Sequence, residues 1–319
     1  MQVEKLSPHT SDGWTLDLRV FRDETRFEPS RRPVMFVPGY GMNGFILSYH
    51  PSGPSFVESL CADGFEVWVA NLRGQGESRR REKRAPGPAL RRLAEEDLAT
   101  SIDAALRSSA SERDQLDLIG CSLGGSLSYA YLALVDRPRV GSIVAIGSPL
   151  RWVEVPGLLR TVFSSRTVAG ALRISGTRRM AKLAMPMVKK VPWVLSLYAN
   201  ASNIDLEHAH EFMETVEDPH PRTNRDIASW LKHGDMVLRG VNVTEAMREQ
   251  TGRLLIIAAN RDGIVPEATA LSPRTFWGGE LSVMKLGTPR EWYAHADIFV
   301  GRKAPQAVFD PVAEWLNEG

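Results

Sequence analysis

Leu116-Asp117-Leu118-Ile119-Gly120-Cys121-Ser122-Leu123-Gly124-Gly125 is the stretch that decides how the rest of the chain is read. An apolar run ends in Gly-x-Ser-x-Gly, and Ser126 to Leu134 continue with helical spacing. A serine pinned between a strand and a helix occupies a very tight turn. Its flanking glycines are needed because a Cβ at Gly120 or Gly124 would collide with neighbouring backbone. Such a turn pushes the Ser122 hydroxyl out of the fold and places it at a helix N-terminus, where backbone N–H groups stabilise negative charge. Ser122 is therefore a candidate nucleophile, with an incidental turn serine as the plainer alternative.

Outward from this turn, short apolar strands alternate with helical segments. Trp14 to Phe21 alternates as a half-exposed strand. Pro33 to Val37 reads as a buried strand ending in Pro38-Gly39-Tyr40-Gly41, and Phe65 to Ala70 as the next. Ser55 to Ala62 and Leu90 to Leu106 have helical periodicity. Val140 to Ile146, Leu254 to Ala259 and Leu281 to Leu286 supply later strands, and Pro305 to Asn317 a closing amphipathic helix. This alternation predicts an α/β fold with a mostly parallel central sheet flanked by helices.

One region breaks the pattern. Residues 150–234 hold helical segments and several prolines but no convincing strand, which predicts a helical cap inserted into a core made of residues 1–149 and 235–319. The insertion is polarised. Arg151 to Lys190 carries nine basic residues, Arg173 among them, against the single acid Glu154, whereas Asp205 to Asp226 carries seven acids against Arg222 and Arg225. Apolar residues including Trp152, Leu158, Phe163, Met185, Met187 and Trp193 are interleaved with the basic ones. Such a segment fits lid helices over an apolar pocket, or a face that leans on a membrane surface.

The bulk numbers describe an ordinary globular chain of 319 residues, with 43% hydrophobic and 24% charged content. A formal net charge of +1 gives no reason to expect a nucleic-acid partner. Two cysteines, Cys61 and Cys121, support neither a disulfide framework nor a cysteine-rich metal site. Met1 to Arg22 is punctuated by charge and lacks an apolar signal core, and no uninterrupted apolar run reaches the roughly 18 residues needed to span a bilayer, so the expected location is the cytoplasm. The run Arg79-Arg80-Arg81-Glu82-Lys83-Arg84 reads as a solvated loop before the next helix, with an anion-binding role as the alternative.

A serine hydroxyl needs a general base held by a third group. Asp262 follows the strand ending at Ala259, and His295 lies between the last strand and the last helix. The chain order Ser122, Asp262, His295 is the one expected when a single parallel sheet presents all three from its C-terminal edge. His233 is the competing histidine; the earlier strand, ending Ile146-Gly147-Ser148-Pro149, offers no carboxylate.

Pro38-Gly39-Tyr40-Gly41, Asn71-Leu72-Arg73-Gly74-Gln75-Gly76-Glu77-Ser78, the Ser122 turn and the loops of Asp262 and His295 together resemble the α/β-hydrolase superfamily over nearly the whole chain. Local stretches resemble its acid-lipase-like and polyhydroxyalkanoate-synthase-like branches, although the latter use cysteine where this chain has Ser122. The resemblance implies Ser122 as nucleophile, His295 as base and then acid, and Asp262 as the group orienting His295. It implies an oxyanion hole from the backbone N–H groups of Leu123 and Tyr40. The expected activity is that of a serine esterase or lipase-type hydrolase, without metal or cofactor, acting on a lipophilic ester or thioester. Acyl transfer through the same acyl-enzyme and a silent ligand-binding homologue are the alternatives.

Overall fold

The computed structural model describes the chain except residues 172–174 and 192–194. Arg173 and Trp193 lie outside the described residues, as do the side chains of Met187, Lys189 and Lys190.

Eight strands form the central sheet: β1 Gln2–Leu6, β2 Asp17–Arg22, β3 Val34–Val37, β4 Val67–Asn71, β5 Leu116–Cys121, β6 Val140–Ile146, β7 Arg253–Ala259 and β8 Leu281–Leu286. Their order across the sheet is β1-β2-β4-β3-β5-β6-β7-β8. β1 and β2 run antiparallel at one edge, and the neighbours from β4 onward are parallel. The middle strands are buried on both faces, which is why they read as continuous apolar runs rather than as alternation. The pleat still sorts their side chains by a period of two. Met35, Leu118, Ala145 and Ile256 enter one core, while Phe36, Ile119, Val144 and Ile257 enter the other. Helix α3 (Leu123–Leu134) packs into the first core through Leu127, Tyr129 and Ala130. Helices α1 (Phe56–Ala62) and α4 (Asp310–Asn317) cover the second, where the Phe56 ring stacks on Phe309 at 4.2 Å between centroids. Ser55 caps α1 with a reciprocal capping box to Glu58. Helix α2 (Ala99–Ser108) lies in between in the chain.

Three local expectations change. The single strand predicted over Trp14 to Phe21 breaks at Leu16: Trp14–Thr15 leaves the sheet to pair antiparallel with Arg79–Arg80. The first two residues of the arginine run are thus a strand, held where the Arg80 guanidinium lies 5.6 Å from the Trp14 ring. The helix predicted from Leu90 is interrupted by a π-turn at Leu93–Leu98. That turn carries Asp97, which faces Arg73 instead of solvent.

Arg73 ties three segments together. Its guanidinium donates to Asp97 at 2.6 Å and to Asp12 at 2.8 Å, with the Arg73 and Asp97 side chains fully buried. Burial opposes its charge, yet the bonds to Asp97 and Asp12 prevail and hold its pKa above the ordinary value. Arg73→Met strands the Asp97 carboxylate in the core, and the expected loss is about 3–5 kcal/mol, read as a lower urea midpoint at unchanged slope.

Between β6 and β7 the chain forms helices Gly157–Val162, Arg166–Ala171, Thr177–Lys190, Ala209–Phe212 and Pro221–His233. Arg178 and Lys182 on Thr177–Lys190 bond Glu214, and Arg178 also bonds Glu217 at 2.9 Å. The opposite charges of the two halves therefore face each other in part, rather than solvent alone. Among the described residues, no helix is long and apolar enough to cross a membrane.

Candidate active site

β5 delivers the chain to Ser122, whose φ of 54° and ψ of −120° lie where side chains are rarely found. Strain of this kind persists only when surrounding structure over-determines it. Ser122 N–H donates to Ile146 O at 2.8 Å, and Gly125 N–H to Ser122 O at 3.1 Å. A Cβ on Gly120 would meet the Gly125 backbone, and one on Gly124 would meet the Val37 carbonyl. Both glycines are required by close approach, not by a positive φ. The Ser122 side chain is not used to cap α3, so its hydroxyl stays available.

β7 leads into the Asp262 loop. One carboxylate oxygen accepts the N–H groups of Ile264 and Val265, both at 2.8 Å. The other meets His295 Nδ1 at 2.6 Å, with both side chains buried. A carboxylate so anchored selects the tautomer with the proton on Nδ1 and leaves Nε2 as the acceptor. Gly147, at φ 54°, backs the pair: a Cβ there would stand 3.2 Å from His295 Cε1 and 3.4 Å from Asp262 Oδ2. Asp297, two residues beyond the histidine, braces its loop by accepting the N–H groups of Ala294 at 2.7 Å and Asn200 at 3.0 Å. Burial pushes the Asp297 pKa up to about 6.

The segment between β6 and β7 enters the same network. Leu197 O accepts Gly263 N–H at 3.1 Å, and Tyr198 O accepts Ala296 N–H at 2.8 Å. The Asp262 and His295 loops thus both bond the turn of Leu197 and Tyr198. A second turn of the same segment grips the loop after β3: Glu217 N–H donates to Gly41 O, and Asn43 N–H to Thr215 O, both at 2.8 Å. The Tyr40 hydroxyl donates to Asn224 Oδ1 at 2.6 Å, and burial pushes its pKa up to about 12, so it remains a donor. Among the described residues, neither the Tyr40 nor the Leu123 backbone N–H has an acceptor. A Cβ on Gly39 would approach Ser122 Cβ to 3.1 Å, which places this loop against the serine turn.

Ser122 and His295 line one cavity of about 120 Å³, whose remaining wall is almost wholly apolar, with Met42, Ile46, Met185, Leu206, Phe212 and Phe299 among its residues. Asp262 stands behind His295 and does not line it. His233 is elsewhere, at the end of Pro221–His233 with Nδ1 on Ser229 O at 2.8 Å. Cys121 is fully buried facing the second core, and burial pushes its thiol pKa well up, which makes it unreactive. In sequence Asp297 stands only as a carboxylate too close to His295 to be an easy substitute for Asp262; nothing in local composition marks its bracing role or the turns of Leu197 and Glu217.

A family model described as the alpha/beta hydrolase fold matches residues 32–283. The chain belongs to the α/β-hydrolase family. An esterase from Exiguobacterium antarcticum is similar in structure, with a TM-score of 0.63, 14% identity, and coverage of 98% of this chain and 100% of that one. The esterase RhEst1 from Rhodococcus sp. ECU1013 gives a TM-score of 0.63 at 16% identity, covering 99% of each chain. A bromoperoxidase from Bacillus anthracis gives 0.60 at 14% identity, covering 99% of this chain and 100% of that one. No curated protein matches the sequence. This α/β-hydrolase shares its fold with proteins named for different reactions, so its chemistry must be argued from its own site.

Proposed function

We propose that this α/β-hydrolase is a serine esterase that cleaves a carboxylic ester, or thioester, with an apolar acyl part. The observation that carries the proposal is that Ser122, on its strained turn, and His295, braced by Asp262, open into one apolar cavity. Ser122 Oγ attacks the carbonyl carbon while His295 Nε2 takes its proton. The carbonyl oxygen becomes an oxyanion stabilised by the N–H groups of Leu123, at the start of α3, and Tyr40. As the C–O bond to the alcohol breaks, His295 returns the proton to the leaving oxygen, which yields an acyl-enzyme. Water, deprotonated by His295, then releases the acid. Residues 150–234 act as the cap over a core of residues 1–149 and 235–319, supplying the apolar wall that holds the acyl chain and excludes bulk water.

Esterase neighbours of the same fold agree with this reading, and the wall chemistry sets the substrate. The cavity is smaller than the roughly 300 Å³ at which small-molecule pockets usually begin, which favours a short-to-medium chain. Hydrolysis of p-nitrophenyl esters from acetate to palmitate is expected to peak between butanoate and octanoate. An optimum at acetate would argue against an apolar acyl pocket, and silence across the whole series from folded protein would argue against the esterase reading itself.

A further inference from the structure

Gln75 bridges two main-chain segments. Its Oε1 accepts the N–H of Leu72 at 2.9 Å, and its Nε2 donates to the carbonyl of Gly39 at 3.0 Å. The two partners settle the orientation of the side-chain amide, because a backbone N–H only donates and a carbonyl only accepts. Gly39 is the residue before Tyr40, and no cis peptide bond occurs among the described residues. In a trans peptide the C=O and the following N–H point in opposite directions. A Gly39 carbonyl held on Gln75 therefore aims the Tyr40 N–H away from Gln75.

We infer that Gln75 is a positioning residue that fixes the Gly39–Tyr40 peptide in the orientation that makes the Tyr40 N–H an oxyanion donor. The inference rests on the esterase reading above. Three observations support it. Gly39 packs against the Ser122 turn, so the peptide is at the right place for its direction to matter. The Tyr40 N–H has no acceptor among the described residues, so presenting it to an oxyanion breaks no hydrogen bond of the fold. Gln75 borders a second cavity, lined also by Gly39, Tyr40, His220 and Arg80, that does not include Ser122 or His295. With open space on that side, nothing but the Gln75 amide among the described groups bonds the Gly39 carbonyl. Without it, no hydrogen bond among the described residues holds the Gly39 carbonyl away from the nucleophile. Segment Asn71 to Ser78, anchored by Arg73 to Asp97, is then the part of the fold that holds the anchor still.

Gln75→Glu tests the inference with almost no change in shape. The carboxylate still accepts the Leu72 N–H but faces the Gly39 carbonyl with a lone pair. At pH 8, kcat on p-nitrophenyl butanoate is expected to fall about 10- to 100-fold with KM little changed, a part of the 10²–10³-fold cost of deleting an oxyanion donor. Binding of a short alkyl boronic acid, whose Ser122 adduct occupies the same hole, should weaken in parallel. As pH falls from 8 toward 5, the introduced carboxyl regains a proton and with it a donor, so the ratio of variant to wild-type kcat should rise. Gln75→Ala should show the same loss at pH 8 with no such recovery. A variant with wild-type kcat and boronate affinity overturns the inference and leaves the esterase reading standing. So does a loss that appears in KM and thermal midpoint alone, since that is a structural role. A folded wild type that hydrolyses no ester and takes up no boronate overturns both.

Discussion

Ser122→Ala is expected to lower ester hydrolysis about 10⁶-fold, to the level that binding and the oxyanion donors alone sustain. The size follows from what the hydroxyl does: with it gone no acyl-enzyme forms, and His295 has no proton to take. Loss of stability is not the cause. Ser122 holds a φ of 54° that any side chain resists, and alanine resists it to about the same degree, so the folded state keeps its strain and its contacts. Thermal midpoints of wild type and variant should agree within a few degrees while activity vanishes. Rapid labelling of the wild type by a fluorophosphonate, absent in Ser122→Ala, is the companion measurement. Residual hydrolysis within about tenfold of wild type would remove Ser122 from the mechanism, and a silent binding protein would become the better reading.

The serine turn is legible in the sequence because the residue types it demands fall in one short motif, even where the atoms they avoid lie on a neighbouring strand, as those of Val37 do. Gly120, Ser122 and Gly124 lie within five residues, and the backbone atoms their side chains must avoid belong to the same turn or to the adjacent strand. The order of Asp262 and His295 is legible for a related reason, since a parallel sheet presents successive loops along one edge. What holds these residues in place is not legible. Asp297 braces the histidine loop by bonding Asn200, 97 residues earlier, and Gln75 reaches Gly39 across 36 residues. The first pairing leaves no motif, and the second joins two motifs whose contact the sequence does not show. Edge strand β1 escapes for another reason: Gln2 to Lys5 are exposed, so no apolar pattern marks them, and the strand exists because it completes the hydrogen bonds of β2. The π-turn at Leu93–Leu98 is hidden in the same way, because its register is set by where Asp97 must stand to meet Arg73.

If the segment between β6 and β7 serves as the proposed cap, its contacts give it a second role. A cap that merely covered the pocket would touch the core at its hinges. Here Leu197 and Tyr198 accept hydrogen bonds from the loops of Asp262 and His295, while Thr215 and Glu217 bond the loop that carries Tyr40. On the proposed mechanism, the stretch between β6 and β7 that walls the cavity also holds the loops of His295, Asp262 and Tyr40. Displacing those turns therefore costs positioning as well as shelter from water, and the two losses are separable in kcat and KM.

Asp262→Asn should lower kcat about 10⁴-fold, the effect of holding a catalytic imidazole in the wrong tautomer. The geometry makes the reason explicit. Asp262 Oδ1 is occupied by the N–H groups of Ile264 and Val265, which only an oxygen accepts. In the variant the amide oxygen must therefore stay on those two donors, and the NH₂ group is forced to face His295 Nδ1. An NH₂ donates, so Nδ1 becomes the acceptor and the proton moves to Nε2, the nitrogen that must take the Ser122 proton. The side chain has nearly the same shape, and Gly147 leaves the pair its space, so the fold should survive intact. Asp262→Ala is the informative partner. It frees His295 to adopt either tautomer, and its kcat is expected to equal or exceed that of Asp262→Asn despite the larger truncation. Should Asp262→Asn instead retain most of its activity while Asp262→Ala loses it, Asp262 would be holding the loop and not the proton.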